Sequence, residues 1–296
     1  MKEKLTKMPK GYTIMWLIFS AAYAVWMGVF MRKIVLVNYE SVAERTVDGI
    51  LHNDITGMIG NHWAFPLWAI GSTLCLLAFI LYIKKFLYSG ENTKAGKIFC
   101  MINLVFGFIF ITWYGLFDVK DVFAKDASIT ASMIGLEFPW HFRMWGVFTS
   151  LAAFTNTLYM YNKFGYNSRL GVILGSIGSA AIYVTINCPS AGEDIHLDSA
   201  RCMAHWSGAL IFAALCAAPL LLFLLKKTIE KNKKFTAAFI FFGVVLLAML
   251  ALLIFVGKSG TIENIPVWAA FIILFFANFT NLFEDKKEEA KETVKI

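Results

Sequence analysis

Two long apolar runs joined by a short basic segment decide the fold class of this chain. The first run, at residues 203–225, reads MAHWSGALIFAALCAAPLLLFLL, and the second, at 235–257, reads FTAAFIFFGVVLLAMLALLIFVG. The segment between them, at 226–234, reads KKTIEKNKK. Because a bilayer core about 30 Å thick is crossed by roughly 20 helical residues, each run is long enough to span it. The stretch therefore predicts two transmembrane helices with lysines at the turn between them.

The same kind of run recurs along the rest of the chain. Hydrophobic residues make up 58% of the sequence and charged residues 16%, and the mean hydropathy is +0.65. Continuous apolar runs favour membrane helices over a barrel, whose strands alternate over about ten residues. We therefore predict an all-α integral membrane protein, a single domain over residues 1–296 with a bundle of eight transmembrane helices. The eight runs lack Asp, Glu, Lys and Arg and lie at about 11–31, 65–83, 98–117, 144–161, 170–188, 203–225, 235–257 and 265–283.

The distribution of charge predicts the orientation of this bundle. Five segments that alternate with the runs hold 19 of the 27 Lys and Arg residues, and they are 1–10, 84–97, 162–169, 226–234 and 284–296. Since Lys and Arg in short loops stay on the cytoplasmic side, both termini should be cytoplasmic, in a cell-membrane protein. The net charge of +7 then reflects topology and attraction to inner-leaflet lipids, the expected partners. Nucleic acid is not expected, because the basic residues form no continuous surface.

All five histidines fall on the predicted outer side, and imidazole binds metals and moves protons near neutral pH. His52 belongs to a predicted amphipathic helix at about 42–59, where it forms a surface pair with Asp48. The other four are candidate ligands of a divalent metal such as zinc, together with nearby carboxylates. These four are His62, His141, His196 and His205. Haem is disfavoured, because histidines at the ends of the runs would bury a macrocycle poorly.

The densest polar segment of the chain, NCPSAGEDIHLD at 187–198, precedes the sixth run. We predict that it contributes to an outer pocket that binds or processes a lipid or small polar ligand. Processing would be hydrolysis of an ester or amide by a metal-activated water. The arginines would hold a phosphate or carboxylate, or else pair with nearby acids. The candidate ligand-binding residues are Asp194, Asp198, Arg201 and Arg143. No HExxH or zinc-finger spacing accompanies them.

A second interpretation remains open, in which the chain is a non-catalytic membrane component, such as an accessory subunit or a signalling protein, and the outer histidines are structural. The runs place no acid or base deep in the bundle, which argues against an ion-coupled transporter. Cys188 and Cys202 bracket the polar loop, and a disulfide between them is one possibility. Gly171, Gly175 and Gly178 predict that the fifth helix packs closely against a neighbour.

Overall fold

The computed structural model describes residues 74, 92–116, 139–188, 200–257 and 259–284. These ranges are helical apart from short turns. Six helices run through them: α1 (Lys94–Leu116), α2 (Pro139–Lys163), α3 (Arg169–Asn187), α4 (Ala200–Ile229), α5 (Lys233–Phe255) and α6 (Gly260–Phe279). Each of the third to eighth predicted runs corresponds to one of these helices. The predicted runs at 11–31 and 65–83 and the amphipathic helix at 42–59 lie outside the described residues, apart from helical Leu74.

The helices extend beyond the apolar runs where a polar residue caps the first turn. At α3 the hydroxyl of Ser168 accepts a hydrogen bond from the backbone N–H of Gly171, at 3.0 Å. At α6 the hydroxyl of Ser259 likewise accepts from the N–H of Ile262, at 3.2 Å. Such caps satisfy backbone donors that have no partner within the helix. A hydropathy pattern cannot register them, which is why α6 begins at Gly260 and not near residue 265.

Consecutive helices run antiparallel, so the bundle has two chemically different ends. At one end, α2 and α6 begin side by side, and the indole N–H of Trp145 donates to the amide oxygen of Asn264 at 3.0 Å. Here α4 also begins, with His205 near its start, and we call this the histidine end. At the other end the ammonium group of Lys163, on the last turn of α2, reaches the last carbonyls of α6. That end also holds the turn between α4 and α5 and is called the lysine end.

Helix α2 lies at the centre of the bundle and packs against α1, α3, α4 and α6. The half of α2 nearer the lysine end carries a network of buried amides that links α1, α2 and α6. The Asn156 amide donates to the carbonyl of Cys100 on α1 at 3.0 Å, and the Asn278 amide on α6 donates to the carbonyl of Asn156 at 2.9 Å. The Asn156 amide and the Asn278 amide nitrogen, satisfied in this way, cost little to hold in an apolar interior, whereas the Asn278 amide oxygen has no partner within the described residues. The amide pairs therefore fix how α1, α2 and α6 pack.

The composition of each helix follows its position relative to lipid. Among the described helices, five are long and apolar enough to cross a membrane, namely α1, α3, α4, α5 and α6. The most apolar, α5, is only 11% buried, whereas α3 is 72% buried and far less apolar. A helix enclosed by other helices does not need an apolar surface all round, and this explains why central α2 carries many hydroxyl and amide side chains. The chain is a multi-pass membrane protein.

Glycines bring α3 and α4 into direct backbone contact. The sequence predicted such close packing for α3. A Cβ added at Gly178 would lie 2.5 Å from the backbone nitrogen of Cys216 on α4. A Cβ at Gly208 on α4 would lie 2.8 Å from the carbonyl oxygen of Ala181 on α3. Neither position tolerates a side chain without separation of the helices. The prediction of close packing is thus confirmed, and the contact holds the histidine end of α4 against the end of α3.

Candidate functional site at the histidine end

Two of the predicted site residues, Arg143 and His205, are described in full. The backbones of His141 and Arg201 are described as well, and each lies in the first turn of its helix, α2 and α4 respectively. The remaining candidates lie outside the described residues, and they are His62, Asp194, His196 and Asp198. The site can therefore be built from the ends of α2, α3, α4 and α6.

His205 joins the start of α4 to the end of α3. Its side chain is 3% exposed, and its Nδ1 atom lies 3.1 Å from the carbonyl oxygen of Thr185 and 2.8 Å from that of Cys188. Because a carbonyl oxygen only accepts, Nδ1 must carry the proton. In return the Thr185 hydroxyl donates to the carbonyl of His205 at 3.2 Å. The imidazole thus adds a donor to carbonyls at the end of α3, of which that of Thr185 also accepts from the backbone N–H of Cys188 at 3.3 Å.

This geometry determines what chemistry His205 can perform. With Nδ1 committed as a donor, the neutral imidazole has its lone pair on Nε2, which is the arrangement found in metal-ligating histidines held by a backbone carbonyl. His205 can therefore be a structural cap and an oriented ligand at once.

Arg143 lies on α2 near the same end of α3 and is only 8% exposed. The register follows from two contacts along this interface. A Cβ at Gly146 would touch the Ile186 side chain, and the Ser179 hydroxyl donates to the carbonyl of Ser150 at 3.4 Å. One helical turn nearer the histidine end, the same register places Arg143 opposite the last turn of α3. A buried guanidinium there adds positive charge beside exposed helix carbonyls.

Asn187, the last residue of α3, is fully buried, with 0% exposure. Neither its amide nitrogen nor its amide oxygen has a hydrogen-bond partner within the part of the chain that the structure describes. On α2 the hydroxyl of Thr149, also buried, shares this property. Buried polar atoms are nearly always bonded, so an amide with two unsatisfied atoms requires an explanation. Asn187 is the side chain at this end that most needs a further polar group.

Aromatic residues also lie at the histidine end. Phe142 stacks on Trp145, with ring centroids 5.4 Å apart, and the indole of Trp268 on α6 donates to the hydroxyl of Thr112 at 3.1 Å. The sequence reasoning did not single out Asn264 or Thr185 as site residues, and each becomes important only through a partner far along the chain. The one signal available was that both are polar residues near the end of an apolar run.

Among the described residues, neither a metal-binding group nor space at mid-bundle marks a ligand site. They contain no group of three or more His, Cys, Asp or Glu residues that could hold a metal ion. The gap between α2, α3 and α4 at mid-bundle, next to Gly175 and Pro219, has no room for a water-sized sphere. Cys188 is buried at the end of α3 and its thiol is not in a disulfide, so the possible bond to Cys202 is not formed.

The architecture and the site can also be set beside known proteins. No protein-family model matches this chain, and neither does any curated protein or any solved structure.

Proposed function

We propose that this multi-pass protein crosses the plasma membrane eight times, with both termini in the cytoplasm and the histidine end facing outward. The enrichment of Lys and Arg in the five alternating segments supports this orientation. Described residues of four of those segments adjoin the lysine end, namely 84–97, 162–169, 226–234 and 284–296. The six described helices would provide six of the crossings, with α2 carried through the membrane inside the bundle.

We further propose that the histidine end binds a lipid or a small polar ligand that carries a phosphate or a carboxylate. The observation that carries the proposal is the buried, unsatisfied amide of Asn187. A ligand group such as a hydroxyl could accept from its nitrogen and donate to its oxygen. Arg143, buried opposite the same turn, supplies a cation whose planar donors match phosphate and carboxylate oxygens.

The remaining candidates would complete this site from the 189–199 loop and from neighbouring helix ends. Asp194, Asp198 and Arg201 would line the entrance above Asn187. Nε2 of His205 and two of His62, His141 and His196 would hold a zinc ion, whose fourth position would then be open to a water for hydrolysis. Because Nδ1 of His205 is a donor to two carbonyls, only Nε2 is suited to ligation.

The test compares purified wild-type protein with Arg143→Gln and Asn187→Leu. The probes are inorganic phosphate and dihexanoyl phosphatidic acid, a soluble lipid with a phosphate headgroup, and the readout is the shift of the thermal unfolding midpoint. We expect the wild type to gain stability with at least one probe and both variants to lose that gain. No shift in the wild type, or an equal shift in all three proteins, would refute the ligand site.

Asn103→Leu is the matched control, because Asn103 is also a buried asparagine but its amide already donates to the carbonyl of Phe99 at 2.9 Å. This control should lose about 1 kcal/mol of stability and keep the ligand response. Asn187→Leu should be no less stable than the wild type without ligand, since it removes two unsatisfied atoms. For the metal, one zinc per chain that is lost in His205→Ala supports ligation, and zinc-free wild-type protein removes the metal from the proposal.

The alternative function, a non-catalytic membrane component, is favoured by a different observation. The bonds from His205 to the carbonyls of Thr185 and Cys188 give this imidazole a complete structural role. On this interpretation His205→Asn should lower stability without changing any ligand response. Retention of both probe responses in His205→Asn, together with zinc-free protein, would leave the histidine as a helix cap alone.

A further inference from the structure

The segment 226–234, which covers the end of α4, the turn and the start of α5 at the lysine end, contains five lysines, and three of them already serve the fold. Lys227 donates to the Glu230 carboxylate at 2.9 Å, and Lys226 lies 3.6 Å from the same group. The hydrogen bond from Lys227 lowers the pKa of Glu230, which therefore stays ionised as their partner. Lys234 donates to the backbone carbonyl of Glu284 at 2.6 Å and so joins α5 to the end of α6. These contacts account for Lys226, Lys227 and Lys234.

Lys231 and Lys233 have no such role. Both are exposed, and neither forms an ion pair within the described residues. Lys231 also has a φ of 62°, in the left-handed region that favours glycine. Its N–H bonds to the carbonyl of Thr228, and the next N–H bonds to that of Lys227, which is the pattern of a Schellman cap. Glycine would be the more stable residue here, so the stability of the turn does not explain the lysine.

A band of exposed apolar surface lies directly beside these two lysines. On α4 the side chain of Ile229 is 66% exposed, although it is only two residues from Lys231. On α5 the first large exposed apolar residues are Ile240 and Phe241. At 1.5 Å per helical residue, Ile240 lies about 10 Å deeper than Lys233. The spacing sets cations at headgroup height and apolar side chains at acyl-chain height.

We propose that Lys231 and Lys233 bind the phosphate of an anionic glycerophospholipid whose acyl chains lie against Ile229, Ile240 and Phe241. The charge is complementary, because the segment 226–234 carries five lysines and one glutamate. A phosphate between two exposed ammonium groups satisfies both without burying them. This site lies at the opposite end of the bundle from Asn187 and does not depend on the ligand proposed there.

The experiment measures binding of palmitoyl-oleoyl phosphatidylglycerol and of palmitoyl-oleoyl phosphatidylcholine to the full-length protein in detergent, by native mass spectrometry. Wild-type protein should bind the anionic lipid more tightly. Lys231→Gln with Lys233→Gln should weaken that binding roughly thirtyfold, since each lysine near an anionic headgroup contributes ~1 kcal/mol, and should leave the zwitterionic lipid unaffected. Inorganic phosphate should compete weakly, because it cannot use the apolar band. Competition by phosphate as strong as by the lipid would refute a lipid site.

The matched control is Lys94→Gln with Lys97→Gln, which removes the same charge from exposed lysines in the first turns of α1 at the same end. It should leave the affinity nearly unchanged, and an equal loss in both double variants would mean that the attraction is diffuse. Lys231→Gly distinguishes the contribution of this lysine to lipid binding from its contribution to folding stability. It should raise the unfolding temperature, because glycine suits the positive φ, and yet lower the affinity for the anionic lipid about fivefold. A Lys231→Gly protein with unchanged affinity would overturn the proposal.

Discussion

Gly178→Ala, a change of one methyl group, should separate α3 from α4. The added Cβ would lie 2.5 Å from the nitrogen of Cys216 and 2.6 Å from the carbonyl carbon of Leu215. Ordinary contact at a Cβ begins at 3.4 Å, so the two backbones must move apart by roughly 0.9 Å, the difference between 3.4 and 2.5. The opposing atoms are backbone and cannot rotate away. The strain should therefore fall at the upper end of the ~1–3 kcal/mol typical of overpacking.

Helix propensity acts in the opposite direction, because alanine is favoured over glycine by about 1 kcal/mol in a helix interior. The net expectation for Gly178→Ala is a loss of about 2 kcal/mol. Gly243→Ala on α5 provides the control, since a Cβ there meets nothing within 4 Å and only the propensity gain of about 1 kcal/mol remains. The two variants should therefore differ by about 3 kcal/mol. At 2–4 °C per kcal/mol, the unfolding midpoints should differ by roughly 6–12 °C.

The assay is thermal unfolding of the detergent-purified proteins, followed by the fraction that stays monodisperse after heating. Gly178→Ala should unfold below the wild type and Gly243→Ala above it. If Gly178→Ala is as stable as Gly243→Ala, the glycine contact between α3 and α4 does not exist as described. The placement of His205 against Thr185 would then lose its support as well, because the same helix pair positions both residues.

Three further predictions address other parts of the molecule. Lys163→Met should lower stability by about 1–2 kcal/mol, seen as a lower unfolding midpoint, because its ammonium group donates to the last carbonyls of α6; Lys163→Arg should recover part of the loss. Tyr161→Phe should cost about 1 kcal/mol in the same assay, since the phenol donates to the carbonyl of Pro219 at 2.7 Å, and an unchanged midpoint would contradict that bond. Accessibility tags near Asn232 should be cytoplasmic and tags near Ser190 external, and labelling of both from one side would reverse or refute the proposed topology.

The sequence was sufficient to predict the helices, because crossing a membrane imposes one dominant requirement. A run of apolar residues must be long enough, and the backbone must satisfy its own hydrogen bonds. Both conditions can be evaluated locally. The third to eighth runs accordingly each correspond to a helix, and the errors lie at the ends. The start of α6 depends on the Ser259 cap, a single hydrogen bond that an average over twenty residues does not register.

The arrangement of the helices was harder to predict from the sequence, because it depends on which helix faces meet. Polar residues along α2 indicated only that this helix avoids lipid. That Asn156 bonds to Cys100 and Asn278, and not to some other pair, depends on the register of three helices. The candidate site shows the same division. His205 and Arg143 were identified by residue type, whereas Thr185 and Asn264 were missed because their roles come entirely from distant partners.

The two ends of the bundle solve the same problem of unsatisfied helix carbonyls in different ways. At the lysine end, the ammonium group of Lys163 reaches the last carbonyls of α6 and also pairs with the Glu284 carboxylate at 2.8 Å. The charge of Lys163, which is only partly exposed, is balanced there by that carboxylate. At the histidine end, the imidazole of His205 bonds to the last carbonyls of α3 while almost fully buried. A donor that need not carry a charge costs less to bury in that setting. The fold thus places a side-chain donor at each end, an ammonium group paired with a carboxylate at the lysine end and a buried imidazole at the histidine end.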